Sequence, residues 1–227
     1  MKKTFLLSCL MLAAMPVMAA YTGHVYVDKN KNGVFDQSEK PLAGIKVSDG
    51  LNVVETAADG SFTLPGHERE RFIFITTPSG YKTFNRHYHK IEKKQSGYDF
   101  GLIPYSGRIR KDGSHRYIHI TDTEIFNTEN HADWVNNVRD YARNEQAAFI
   151  IHTGDICYEK GLKAHIKLMN TENMDCPVFY CIGNHDLVKG KYGEELFESI
   201  YGPVYYSFDA GNVHYVVTPM SGGDHAP

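Results

Sequence analysis

Excess charge, membrane-length apolar runs and repeated segments are all missing from this chain, and each absence removes a class of function. A formal net charge of −3 over 227 residues creates no field that would gather nucleic acid or an anionic membrane surface. The apolar stretch at residues 5–14 is too short to cross a bilayer, so no transmembrane segment is expected in the mature chain. No internal repeat or low-complexity tract points to an array or a flexible linker. Cysteine is scarce, with four in all. What remains is 42% hydrophobic and 12% aromatic, enough to build a packed core in one large domain or two small ones.

The N-terminus carries an address. Lys2 and Lys3, the apolar residues 5–14 and the small residues around Ala19 have the layout of a secretory signal, so residues 1–19 predict export to the periplasm or the cell exterior. Leu6-Leu7-Ser8-Cys9 imitates a lipoprotein box but leaves almost no apolar segment ahead of it. Beyond the signal stand Cys157, Cys176 and Cys181, an odd number in a compartment where disulfides persist, so at least one stays unpaired within the chain. A bridge between Cys157 and Cys181 is one reading, and three buried thiols the other.

Two periodicities divide the rest. From residue 20 to 105, Val25 and Val27, Ile45 and Val47, Phe62 and Leu64, Phe72 and Phe74, and Tyr98, Phe100 and Leu102 recur with period two, between Asp49-Gly50 and Asp59-Gly60 turns. This predicts an all-β Greek-key sandwich, an accessory domain. Within it, Asp28, Asn30, Asn32, Val34, Asp36 and Glu39, with Gly33 at the sixth position, fit a twelve-residue Ca2+ loop, Val34 serving through its carbonyl. A metal-free turn rich in Asp and Asn is the alternative.

After residues 106–114 the period changes. Trp134, Val135, Val138, Tyr141 and Ala142 mark one helix face, capped by Thr128 or Asn130, and Leu162, Ile166 and Met169 mark a second. Strand alternates with helix, the pattern of an α/β domain over residues 115–227. Three apolar runs end in polar residues: residues 116–121 before Asp122 and Glu124, residues 148–153 before Gly154-Asp155, and residues 177–182 before Gly183-Asn184-His185-Asp186. In such sheets ligands collect beyond the carboxyl ends of the strands.

These three motifs resemble the calcineurin-like metallophosphoesterases, in which Asp-x-His, Gly-Asp and Gly-Asn-His-Asp/Glu each follow a strand. The resemblance implies an incomplete β-sandwich flanked by helices and two divalent or trivalent transition metals (Mn, Fe or Zn). It also implies hydrolysis of phosphomonoesters or phosphodiesters by hydroxide activated between the metals. It assigns Asp122 to the first metal, Asp155 as the bridge, the Asn184 amide oxygen to the second metal, His185 to the leaving oxygen and Asp186 to holding the His185 ring. Glu124 replaces the usual histidine and offers oxygen instead. Gly154-Asp155-Ile156-Cys157-Tyr158 resembles the purple acid phosphatase form, in which the tyrosine binds iron, which makes Tyr158 a further candidate ligand. His119 and His152 read as core or supporting residues, and His87-Tyr88-His89 as surface.

The resemblance extends over the first half of a catalytic domain. No Gly-His-x-His occurs; Gly66-His67-Glu68-Arg69 stands in the wrong domain, and His225-Ala226-Pro227 follows no strand. A front part of a secreted phosphoesterase, with weak or no turnover by itself, is therefore expected; the alternative is a non-catalytic, calcium-stabilised binding module or remnant.

Overall fold

The computed structural model describes residues 20–84, 86–95, 97–105, 108–125, 131–156, 158–188 and 193–219. The expected signal at residues 1–19, the expected caps Thr128 and Asn130, Cys157 and His225 lie outside them.

The alternating segments form two facing sheets. β1 (Ala20–Val27) pairs antiparallel with β5 (Ser61–Pro65) along its first half. Its second half lies between β2 (Lys40–Pro41) and, in parallel, β9 (Phe100–Pro104). β7 (Tyr81–Thr83) runs antiparallel to β9 at the far edge. The second sheet is antiparallel, in the order β4 (Val53–Glu55), β3 (Lys46–Ser48), β6 (Phe72–Ile75) and β8 (Tyr88–Lys90). Val25, Val47, Leu64, Ile73, Ile75 and Leu102 pack between the sheets.

One strand departs from its expected face. Ile73 and Ile75, not Phe72 and Phe74, enter the core between the sheets; the two phenylalanines face the second unit. All four residues of β6 are buried. A strand covered on both faces has no polar side to reveal its orientation.

In the second unit β10 (Tyr117–Ile120), β11 (Phe149–His152) and β12 (Val178–Tyr180) form a parallel sheet in that order. Helices α1 (His131–Asn144) and α2 (Tyr158–Leu168) are the crossovers. Val135, Ala142, Leu162 and Met169 are buried on one sheet face, but Tyr141, at the edge of the apolar stripe, is 60% exposed. A third helix, α3 (Glu195–Tyr201), joins the same face through Phe197 and Tyr201. The opposite sheet face, Phe149 and Phe179, is covered by the hairpin of β13 (Tyr206–Ala210) and β14 (Val213–Val217) together with Phe72 and Phe74 of β6.

The two units thus share a core. Phe208 stacks on Phe179 with centroids 3.5 Å apart, the Asp209 N–H donates to the Thr77 carbonyl at 2.9 Å, and Arg71 meets the buried Glu198 at 3.0 Å. Apolar burial of this kind is the main stabilising contribution, at roughly 25 cal/mol per Å².

Candidate metal centre

At the carboxyl ends of β10, β11 and β12 the backbone turns sharply. Among the described residues seven non-glycine positions have positive φ, and four of them are Asp122 (53°), Glu124 (41°), Asp155 (54°) and Tyr158 (44°). Left-handed backbone at an ordinary residue costs about 1–3 kcal/mol, and such strain concentrates where side chains must be aimed. Two backbone bonds hold the first two loops together: Asp122 N–H to the Gly154 carbonyl at 3.1 Å, and Glu124 N–H to the Asp155 carbonyl at 3.0 Å.

The glycines of the second and third motifs explain how those loops meet. A Cβ on Gly154, whose φ is +101°, would come within 2.4 Å of the Gly183 nitrogen, and one on Gly183 within 2.1 Å of Asp155 Oδ1. Only hydrogen at both Cα atoms permits this approach. The close passage lets the His185 N–H donate to Asp155 Oδ1 at 3.0 Å, which orients that carboxylate. Asn184–Asp186 is a 3-10 turn in which the buried Asp186 carboxylate accepts the Gly183 N–H at 2.9 Å. Asp186 therefore clamps the turn that presents Asn184 and His185.

The His185 ring faces the first loop. Its Nδ1 is 3.1 Å from Glu124 Oε1, in ion-pair range but without hydrogen-bond alignment. The ring lies parallel to that of Tyr158, the centroids 6.1 Å apart. Asp122, beside Thr121 whose hydroxyl donates to it, Glu124, Tyr158 and Asn184 are exposed, while Asp155 and His185 are half-buried. The set offers carboxylate and amide oxygens together with one buried imidazole nitrogen lacking a hydrogen-bond partner. That donor chemistry fits a hard or borderline metal ion.

His152, expected only as a core or supporting residue, touches both of the first two loops. It is fully buried, accepts the Gly154 N–H at Nδ1 (3.2 Å) and meets Thr123 Oγ1 at Nε2 (3.0 Å). Burial pushes its pKa down to about 4. Behind it His165, edge-on at 5.2 Å, bonds His131 at 3.1 Å. His119, by contrast, meets Thr153 Oγ1 at 2.7 Å on the exposed side. Of the pair expected at the surface, His87 packs against Tyr206 at 4.4 Å with its Nε2 buried, whereas the half-buried His89 lies 4.7 Å from Phe100 and bonds the Asp99 carbonyl at 2.8 Å on the exposed side. Aromatic neighbours claim both rings. Cys176 and Cys181 are free thiols, and burial pushes each up to about 11.

In the β-domain the Asp28–Glu39 loop is formed. Asp28 is buried and accepts the N–H groups of Asn32 (3.2 Å) and Gly33 (2.9 Å). Asp36 Oδ2 accepts from the amides of Asn30 (2.7 Å) and Asn32 (3.0 Å), and Glu39 accepts from Lys29 N–H (2.9 Å). Val34 is 58% exposed, as a residue contributing only its carbonyl can be.

A polar cluster unforeseen in the sequence lies by the start of β1, where the Tyr21 hydroxyl donates to Glu70. Asp49, His67 and Glu70 are the one group of three His, Cys, Asp or Glu residues among those described whose ligand atoms all fall within 4.8 Å. Asp49 already accepts from Leu51 (2.9 Å) and Asn52 (2.6 Å), and His67 Nδ1 accepts the Arg69 N–H at 3.2 Å, leaving the proton on the nitrogen that faces Asp49 at 3.6 Å. A hydrogen-bonded network describes it better than a metal shell does. Asp122, Glu124 and Asp155 are not drawn that close. A cavity of about 530 Å³ between the units is lined by Arg86, His87, Tyr88 and Tyr201 and by none of the strand-end carboxylates.

A family model described as calcineurin-like phosphoesterase matches residues 115–223, and one described as the N terminal of calcineurin-like phosphoesterase matches residues 29–104. No curated protein matches the chain.

Proposed function

Because the chain belongs to the calcineurin-like phosphoesterase family, we propose that its strand-end residues form a two-metal centre that acts on phosphate monoesters or diesters. Asp122 and Glu124 would hold the first ion, Asp155 would serve both, and the Asn184 amide oxygen would hold the second. Manganese or iron suits this oxygen-rich set better than zinc, and Tyr158 adds a ligand when the first ion is iron. Such ions supply positive charge for the phosphoryl oxygens and lower the pKa of a water between them.

The chain's own residues do the rest. Asp155 is oriented by the His185 N–H, and Asp186 fixes the turn so that His185 stands beside the leaving oxygen, where it protonates or stabilises it. The observation that carries this reading is the convergence of the second and third motifs, in which Gly154 and Gly183 pass so closely that Asp155 accepts from His185 at 3.0 Å. With oxygen donors predominating among the described residues, turnover is expected to be slow. Residues 1–19 support action after export, and the Asp28–Glu39 loop binds Ca2+ to stiffen the β-domain.

The experiment is a Mn2+ titration followed by electron spin resonance. Two ions sharing Asp155 give a coupled signal that Asp155→Asn abolishes, together with slow metal-dependent hydrolysis of an aryl phosphate.

A further inference from the structure

We propose that His152 is the positioning residue of the metal centre, its one ring tying the loop of Asp122 and Glu124 to the loop of Asp155 through Thr123 and Gly154. The inference rests on the metal-centre reading above and adds a side-chain tie between its first two loops, beside the backbone bonds from Asp122 to Gly154 and from Glu124 to Asp155.

The ring's hydrogen bonds fix its tautomer. Nδ1 accepts the Gly154 N–H at 3.2 Å, so a neutral ring carries its proton on Nε2 and donates to Thr123 Oγ1 at 3.0 Å. Full burial keeps the ring neutral. Thr123 stands between Asp122 and Glu124, and Gly154 immediately precedes Asp155, so each end of the imidazole grips one candidate ligand loop. Both loops hold left-handed residues, which relax unless something pins them. The ring itself cannot swing freely, because His165 packs against it at 5.2 Å and is in turn bonded to His131 of α1 at 3.1 Å. A metal shell needs its donors held to about 0.5 Å, and groups that orient ligands from behind typically matter 10- to 100-fold in affinity.

Replacing His152 in the core risks unfolding, so the test is made at Thr123. Calorimetric titration of the full chain with Mn2+ alone is compared in wild type, Thr123→Val and Thr123→Ser, with Asp155→Asn marking the binding that belongs to the centre. Thr56→Val controls for general destabilisation, since it removes a buried hydroxyl that links Ile45 and Leu42 in the first unit. The expected result is Asp155-dependent binding that is about tenfold or more weaker in Thr123→Val, restored in Thr123→Ser and retained in Thr56→Val. Equal affinity in wild type and Thr123→Val, or the same weakening in Thr56→Val, overturns the positioning role while leaving the centre intact. No Asp155-dependent binding in wild type overturns the centre and this inference with it.

Discussion

At the scale of single residues, two glycines matter as much as the carboxylates. A methyl on Gly183 meets Asp155 Oδ1 at 2.1 Å and the Asp155 nitrogen at 2.2 Å, so the backbones must separate. Overpacking of this kind costs about 1–3 kcal/mol. Gly183→Ala is therefore expected to lower the melting temperature measurably and to remove metal binding that depends on Asp155; thermal melts and calorimetry on one sample check both. The candidate site residues could be named from the sequence because Asp122, Asp155 and Asn184 each follow an apolar run, and those runs contain the parallel strands β10, β11 and β12. His152 could not be, because a histidine inside a strand gives no sign of which loops its two nitrogens touch. Nor could spacing show that Asp186 spends an oxygen on the Gly183 N–H.

At the scale of elements, the three parallel strands and first two helices fall where periodicity put them. α3 was missed although Leu196, Phe197, Ile200 and Tyr201 carry helical spacing; it is only seven residues long and no side-chain cap announces it. The orientation of β6 was unreadable for the opposite reason, since Phe-Ile-Phe-Ile is apolar on both faces. The Asp28–Glu39 loop is the element whose behaviour is most readily measured. Its carboxylates converge on backbone and amide donors, and an ion bound only by the folded loop raises stability by mass action, about 2.7 kcal/mol at a hundredfold excess over Kd. Chelator should lower the melting temperature of the chain, Ca2+ should restore it, and Asp28→Ala should erase the difference. A melting temperature indifferent to chelator and Ca2+ would remove calcium from the account.

At the scale of the whole molecule, the shared core of Phe74, Phe179 and Phe208 joins the units that their periodicities separate. Stability should also depend on acid through the buried histidines. Burial lowers the pKa of His152 to about 4, of His87 to about 3, and of His165 well below the ordinary 6.5. The unfolded chain then binds more protons than the folded one between pH 6.5 and those lowered values. Stability is full above the ordinary histidine pKa and falls as pH drops through this window, His152 alone contributing on the order of 3 kcal/mol at about 1.4 kcal/mol per unit. Melting temperatures taken from pH 7.5 down to pH 4.5, about the range where histidines titrate, should fall steadily; a flat profile would mean that these rings are not held neutral.

The central claim is that Asp155 is shared by two metal ions, and spin resonance of the Mn2+-loaded chain tests it most directly. The account predicts the signal of a coupled pair in the wild-type chain and its loss in Asp155→Asn. Only the spectrum of isolated Mn2+, unchanged by that substitution, would contradict it.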